Sequence, residues 1–375
     1  MPPPPPPPAL VEELIEEILL RFPPRDPALL VRAALVCKQW CRLVSGAGFR
    51  RRFRELHRTA PMLGFLHSRL NYSSRWKDKF VRTAASCPPI AYRSHCWVLD
   101  ARHGRVLLRA EPEDALVIWD PIADEQKEVP WPKPSQPLVS WNAAVLCAAH
   151  GSCDHLDCHR RSFLVVFVCT DTTAETTICT YSCDTATWTS WSDQIFAHQQ
   201  PSACVDPFKP SALVGNALYF GFYRRKNMVL KYELESRAKS VIDLPHIRWD
   251  CGVLITTVDG GLGFANLHES KLYMWSRKDG LGVDAGWTQN RVIDLEMLLR
   301  SNAILTLPDV VGIADEIGVI FLRTRTDNAD ALFTFDLRTY KLKKISEGRR
   351  FHTIFPYMSF YTPGSWLLSL SQEVP

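Results

Sequence analysis

The densest run of chemistry-bearing side chains is Cys153-Asp154-His155-Leu156-Asp157-Cys158-His159, with Cys147 and His150 just ahead of it. Thiolate and imidazole are ligands that zinc takes four at a time in a tetrahedron, and Cys153, His155, Cys158 and His159 form a quartet of the right types. The spacing is tight, and no Cys-x-x-Cys pair occurs anywhere in the chain. A polar loop joining two strands, with no metal, is therefore the favoured reading of this run. Other chemistry finds less support. There is no Gly-x-Ser-x-Gly elbow for a nucleophilic serine, no glycine loop for phosphate and no His-Glu-x-x-His helix. His57, His95, His198, His246 and His352 are isolated in sequence, and the acidic groups Glu111 with Glu113 and Asp114, or Asp315 with Glu316, sit in turn-like contexts that solvation explains. No active site and no cofactor are expected, and the chain is read as non-catalytic.

What the chain offers instead is binding surface on a scaffold. Its 375 residues, 46% of them hydrophobic, suffice for one large core or two domains. Lys plus Arg at 44 against Asp plus Glu at 40 leaves a net charge of +4, too weak a field to imply a polyanion partner. Twelve cysteines spread without a framework, behind no secretory signal, read as reduced thiols in the cytoplasm or nucleus. Residues 1–8 are a disordered polyproline tract, stiff and extended. No apolar run is long enough for a membrane span, and the Asn71-Tyr72-Ser73 sequon is expected to be idle.

The elements divide sharply at about residue 60. Ahead of it, Leu10, Leu14, Ile15, Ile18, Leu19 and Phe22 recur at spacings of three and four beside Glu12, Glu13, Glu16 and Glu17, which predicts an amphipathic helix stopped by Pro23 and Pro24. Asp26 and Pro27 suit the N-cap and first position of a second helix, over Ala28 to Val36. A third helix carries Cys37, Trp40, Leu43 and Val44, and Ser45, Gly46 and Gly48 close the unit. So small a bundle offers more apolar surface than it can hide, so part of it is expected to meet another chain or the domain that follows. Residues 50–60 read as a basic linker helix, with Phe49, Phe53 and Leu56 on its packing side and Arg50, Arg51, Arg52, Arg54 and Arg58 elsewhere.

At these residues the chain resembles the F-box, the helical adaptor by which substrate receptors dock on the Skp1 subunit of cullin-RING ubiquitin ligases. The resemblance spans residues 9–49 and rests on Leu10, Glu12, Glu13, Leu14, Ile18, Leu19, Pro23, Val36, Cys37, Lys38, Trp40, Leu43 and Phe49; Val11 stands where the family usually has proline. It implies a Skp1-like partner, with cullin and RING subunits behind it, and docking through Leu10, Ile18, Leu19, Pro23, Val36, Cys37, Trp40 and Leu43.

Residues 61–375 read as mainly β: short alternating runs broken by turn signals, with helical spacing only over Val292 to Leu299 and a turn near Asp193 to Phe196. A unit recurs, a strand ending in an aromatic and a polar residue, then a turn and a second strand. Its aromatics are Trp119, Tyr181, Tyr232, Trp275 and Phe335, spaced like the blades of a kelch-like propeller. Five or six blades are expected, the residues around Met62 to Leu66 pairing with those near Phe351 to Tyr361; a pair of β-sandwiches is the alternative. The pattern resembles, more loosely, the F-box-associated β-domains of plant F-box proteins. The fold class expected is thus α+β and multidomain, a three-helix F-box followed by a β-propeller-like domain. Trp131, Trp141, Trp188, Trp191, Trp249 and Trp287, and the loops at His150 to Ser162, Arg224 to Asn227 and Arg277 to Gly286, are candidates to hold an unknown protein substrate, though core packing within the blades is the favoured reading of the tryptophans. The expected function is substrate recognition for the ligase. The alternative is a nucleic-acid-associated regulator using residues 50–58.

Overall fold

The computed structural model describes residues 11–70, 76–83, 96–110, 115–149, 151–192, 203–223, 227–245, 252–278, 286–301, 308–325, 330–348 and 351–363. These fall into two compact units, one within Met1–Gly64, Arg82–Pro89 and Met358–Pro375, the other within Phe65–Val81 and Ile90–Tyr357. Leu10, the polyproline tract, the sequon and the turn expected near Asp193 to Phe196 lie outside the described residues, as do Trp249, His95, His198, His246 and Glu111 to Asp114.

The first unit holds four helices: α1 (Glu12–Leu20), α2 (Pro27–Ala34), α3 (Lys38–Ser45) and α4 (Ala47–His57). Their shared interior is Ile15, Leu19, Leu20, Leu30, Ala33, Ala34, Cys41, Val44, Phe49 and Phe53. Pro27 opens α2 as expected, but Asp26 makes no side-chain cap: its backbone, at φ −120° and ψ 79°, does not turn the carboxylate onto the helix N–H groups. The basic segment belongs to the bundle. It forms most of α4, in which Phe49 and Phe53 stack at 5.9 Å and the His57 ring pairs with the Leu20 carbonyl at 2.9 Å. Arg52 pairs with Glu16 at 2.8 Å and also with Glu17, tying α4 to α1.

The β half is six antiparallel sheets, a six-bladed propeller-like domain rather than a pair of sandwiches. Four consecutive strands make each of five blades. The first has β3 (Cys96–Arg102), β4 (Arg105–Ala110), β5 (Ala115–Asp120) and β6 (Glu125–Val129), and the second β7 (Leu138–Cys147), β8 (Phe163–Asp171), β9 (Thr176–Ser182) and β10 (Thr187–Trp188). The third has β11 (Ala212–Val214), β12 (Ala217–Gly221), β13 (Met228–Glu233) and β14 (Lys239–Asp243), and the fourth β15 (Gly252–Thr256), β16 (Leu262–His268), β17 (Lys271–Lys278) and β18 (Gly286–Asp294). The fifth has β19 (Asp309–Ala314), β20 (Val319–Arg325), β21 (Asp330–Asp336) and β22 (Lys341–Gly348). The sixth sheet is discontinuous in sequence: β1 (Met62–Leu70) lies between β2 (Trp76–Arg82) and β23 (Phe351–Met358), so the end of the β region closes the ring against its beginning. That removes the two open edges a linear array would leave.

The recurring aromatics Trp119, Tyr181, Tyr232, Trp275 and Phe335 all fall in the third strand of their blade, on β5, β9, β13, β17 and β21. Side chains from neighbouring sheets then merge into shared cores, such as Leu99, Leu107 and Ile118 with Val145, Val165 and Phe167. The helix expected over Val292 to Leu299 is divided in two. Val292 and Ile293 end β18, one facing out and one in, and α5 (Glu296–Ser301) starts three residues later; the apolar set Ile293, Leu295 and Leu299 satisfies one core from two elements.

A polar bond crosses every blade boundary in turn. Tyr357 Oη donates to Gly104 O at 3.1 Å, Val145 N to Asp100 Oδ2 at 2.9 Å, Asn142 Nδ2 to Asp206 O at 2.8 Å, Thr256 Oγ1 to Leu213 O at 3.3 Å, Thr256 N to Asp315 Oδ2 at 2.8 Å, and Phe351 N to Asp330 Oδ2 at 3.0 Å. Asp100 is buried, and its burial lifts the carboxyl above its ordinary value against the opposing pull of Arg102 at 3.4 Å and of two backbone donors. Asp100→Ala leaves the Val145 N–H buried without its acceptor, and should cost about 1–3 kcal/mol in urea unfolding.

Candidate functional site

Helix α1 carries more apolar residues than its own bundle covers. Leu19 is fully buried, whereas its neighbour Ile18 is 49% exposed, and Leu14 and Val11, one and two turns earlier on the same stripe, are more open still. A second exposed pair, Leu35 and Val36 at 61% and 63%, occupies the turn between α2 and α3. Gln39 Nε2 donates to Glu12 at 3.3 Å, bringing the start of α3, just after Val36, to the start of α1, where the stripe of Val11 and Leu14 begins. Exposed leucine, isoleucine and valine gathered in this way mark a surface made for a partner.

Of the residues expected to dock, Ile18, Pro23, Val36 and Cys37 are exposed, and Trp40 and Leu43 are half-buried. Leu19 has no surface to offer and holds the bundle together. Val11, Leu14 and Leu35 join the exposed set, beyond the docking residues that the family resemblance implies. The spacing of α1 contains their signal, but the width of its apolar stripe hides which edge is core.

The basic run of α4 is partly engaged within its own unit. Arg51 faces Glu55 at 3.8 Å, Arg52 pairs with Glu16 and Glu17, and Arg54 is buried.

On the propeller-like domain, a cleft of about 490 Å³ opens between Trp97, Arg109, Trp131, Trp141 and the segment Leu138 to Ser140, with Pro134 and Pro207 at its rim. Arg109 lies over both Trp131 and Trp141, at 5.3 and 5.4 Å from the ring centres, and Trp141 stacks on Phe167 at 5.4 Å. Trp131 and Trp141 meet edge to face at 4.9 Å and 88°, and a guanidinium set against both rings offers a cationic, aromatic wall for aromatic or carboxylate groups. Val139, exposed, stands on its wall. The other tryptophans do structural work: Trp188, Trp191 and Trp287 donate their indole N–H groups to Pro130, Lys133 and Asp243 carbonyls at 2.8, 3.2 and 2.7 Å.

The cysteine and histidine run forms the link from β7 to β8, and the chain there doubles back through Gly151 and His155, both at positive φ. The fold selects a different quartet from the one that adjacency in sequence suggests. Ligand atoms of Cys147, Cys153, His155 and Cys158 all lie within 4.8 Å of one another. His159 turns away, to Asp120 at 3.7 Å and Asp157 at 3.6 Å. Cys147 ends a strand six residues ahead of Cys153, and only the reversal of the chain brings it back. The crowding pushes the Cys158 thiol up to about 12, by burial first and then by Cys147. The His103 ring stacks on His155 at 3.9 Å, and its burial, then His155 and two arginines, holds it neutral, down at about 3.

Among known proteins, residues 8–52 match the F-box domain family. No curated protein sequence matches the chain. Solved structures resemble it at low identity. A protein of unknown function from Bacteroides caccae has a TM-score of 0.46 and 10% identity, covering 78% of this chain and 98% of that one. A chain of a nidogen/laminin complex has 0.44 and 11%, covering 80% and 99%. TolB from Acinetobacter baumannii has 0.44 and 12%, covering 81% and 68%. At these scores nothing about function passes from them to this chain. The helical unit that presents the free apolar face is an F-box domain, joined in one chain to a six-bladed propeller-like domain.

Proposed function

We propose that the chain is the substrate-recognition subunit of a Skp1-cullin-F-box ubiquitin ligase, of the plant type, acting in the cytoplasm or nucleus. The observation that carries this reading is the solvent-facing set Val11, Leu14, Ile18, Leu35 and Val36 on a unit whose sequence matches the F-box domain. A Skp1-like protein covers that set, with Pro23, Cys37 and the open parts of Trp40 and Leu43 at its border. Leu19 supports the same surface from beneath. The propeller-like domain holds the target protein, and the cleft beneath Val139 and Arg109 is where it grips. The catalytic steps belong to other subunits, and this chain contributes proximity.

A nucleic-acid role for α4 has less behind it, since Arg52 is paired with Glu16 and Glu17 and Arg54 is buried, which leaves Arg51, itself 3.8 Å from Glu55, and Arg58 as the other exposed arginines.

Two measurements test the proposal. The full chain mixed with purified Skp1 should co-elute as a complex on gel filtration, and a folded chain that elutes alone overturns it. Val139→Asp should leave Skp1 binding unchanged while the proteins that accumulate when the F-box is deleted accumulate again; turnover of those proteins at the wild-type rate removes the cleft from the target site.

A further inference from the structure

We infer that Cys147, Cys153, His155 and Cys158 bind a structural zinc ion that fastens the link from β7 to β8. Three thiolates and one imidazole are a common closed set for structural zinc. The distances suit it. With zinc–sulfur bonds near 2.3 Å and zinc–nitrogen bonds near 2.0 Å, the edges of the tetrahedron are about 3.5–3.8 Å. Cys158 Sγ and His155 Nδ1 already stand 3.5 Å apart, and the remaining ligand atoms are within 4.8 Å, a gap that small side-chain rotations close. The backbone N–H of His155 points at Cys153 Sγ at 3.4 Å, the arrangement that stabilises a thiolate. The His103 ring, stacked at 3.9 Å and 9° to His155, fixes the plane of the imidazole ligand.

A separate observation concerns charge. Arg105 is 2% exposed, and among the described residues no carboxylate lies in ion-pair range of it. Its Nη2 donates to the carbonyls of Cys158 and of Arg161, the latter at 2.6 Å, while Nη1 is buried with no hydrogen-bond partner. A buried cation without a counter-charge is costly. Three thiolates with one Zn²⁺ carry a net charge of −1, and they sit on the very segment whose carbonyls Arg105 holds. The metal centre thus supplies the anion that the protein's own side chains do not.

Binding converts three thiols to thiolates and releases their protons, with no change of oxidation state. The affinity is therefore strongly pH-dependent and falls in acid. Fastening this link fixes the connection within the β7–β8 hairpin and, through Arg105, the adjoining β3–β4 hairpin.

The test uses the full chain, purified without chelator. Elemental analysis should find about one zinc ion per chain, removable by a chelator, with three further thiols becoming alkylatable in its presence. Refilled with Co²⁺, the protein should show the visible band of a tetrahedral thiolate site. Cys153→Ser and His155→Ala, both at half-buried ligands, should lose the metal, whereas Cys183→Ser, outside the quartet, should keep it. A folded wild-type chain that holds neither zinc nor Co²⁺ overturns the assignment, as does mass spectrometry showing two of the three cysteines joined in a disulfide. Metal retained equally in Cys153→Ser and His155→Ala would place the ion elsewhere and overturn it too.

Discussion

Replacing Ile18 by aspartate should abolish Skp1 capture while leaving the fold unchanged, and adding Val36→Asp should leave no measurable binding at all. Both side chains face solvent in the isolated chain, so charge there costs the folded state little. In a complex the same carboxylates would be buried against an apolar partner without a counter-charge. Truncating a hot-spot residue at the centre of an interface costs about 2–4 kcal/mol, roughly 30- to 1,000-fold in affinity, and a buried charge costs more. Leu19→Ala provides the contrast. That side chain is wholly interior, so the variant should lose about 2–5 kcal/mol of bundle stability and bind weakly because less of it is folded. Circular dichroism melts separate the two cases: Ile18→Asp should melt with the wild type, and Leu19→Ala well below it.

The largest stability effect in the propeller-like domain is expected at Phe335. It is fully buried on the third strand of the fifth blade and pairs with Ile320 and Leu342 on either side. It packs in one core with Val310 of its own sheet and with Leu272 and Ile293 of the fourth blade. Phe335→Ala removes an aromatic ring from a region with no room to collapse, which should cost about 3–5 kcal/mol. Urea unfolding should show a lower midpoint at an unchanged slope. Because the last strand of the ring pairs with the first, the loss should appear as one cooperative transition rather than as the early melting of a single blade.

The blades were legible in the sequence because two-residue alternation and a recurring aromatic report directly on a half-buried antiparallel strand. Trp119, Tyr181, Tyr232, Trp275 and Phe335 mark the third strand of five of the six blades. Closure through Met62 and Phe351 was legible too, because a ring of blades leaves the first and last strands to pair with each other. The division of α1 into a core side and an open side was not. Leu14, Ile15, Ile18 and Leu19 fill adjacent rows of one helix, and only the packing of α1 against α3 and α4 decides that Ile15 and Leu19 turn inward. The metal-ligand quartet was legible by residue type but not by membership. Adjacency favoured His159, whereas the reversal of the chain at Gly151 and His155 brings in Cys147 from the end of a strand. The cleft at Arg109 was half visible. Trp131 and Trp141 stood out, but the arginine between them sits in an ordinary-looking strand and acquires its place only when β4 pairs beside β3.

Whether the exposed apolar surface of the helical unit is an interface is tested most directly by calorimetric titration of the full chain with Skp1 at several temperatures. The expected result is a single binding event with a negative heat-capacity change, the mark of apolar surface leaving water, and its loss in the Ile18→Asp, Val36→Asp double variant. Heat of binding that is absent for the folded wild-type chain, or unaltered in the double variant, would contradict it.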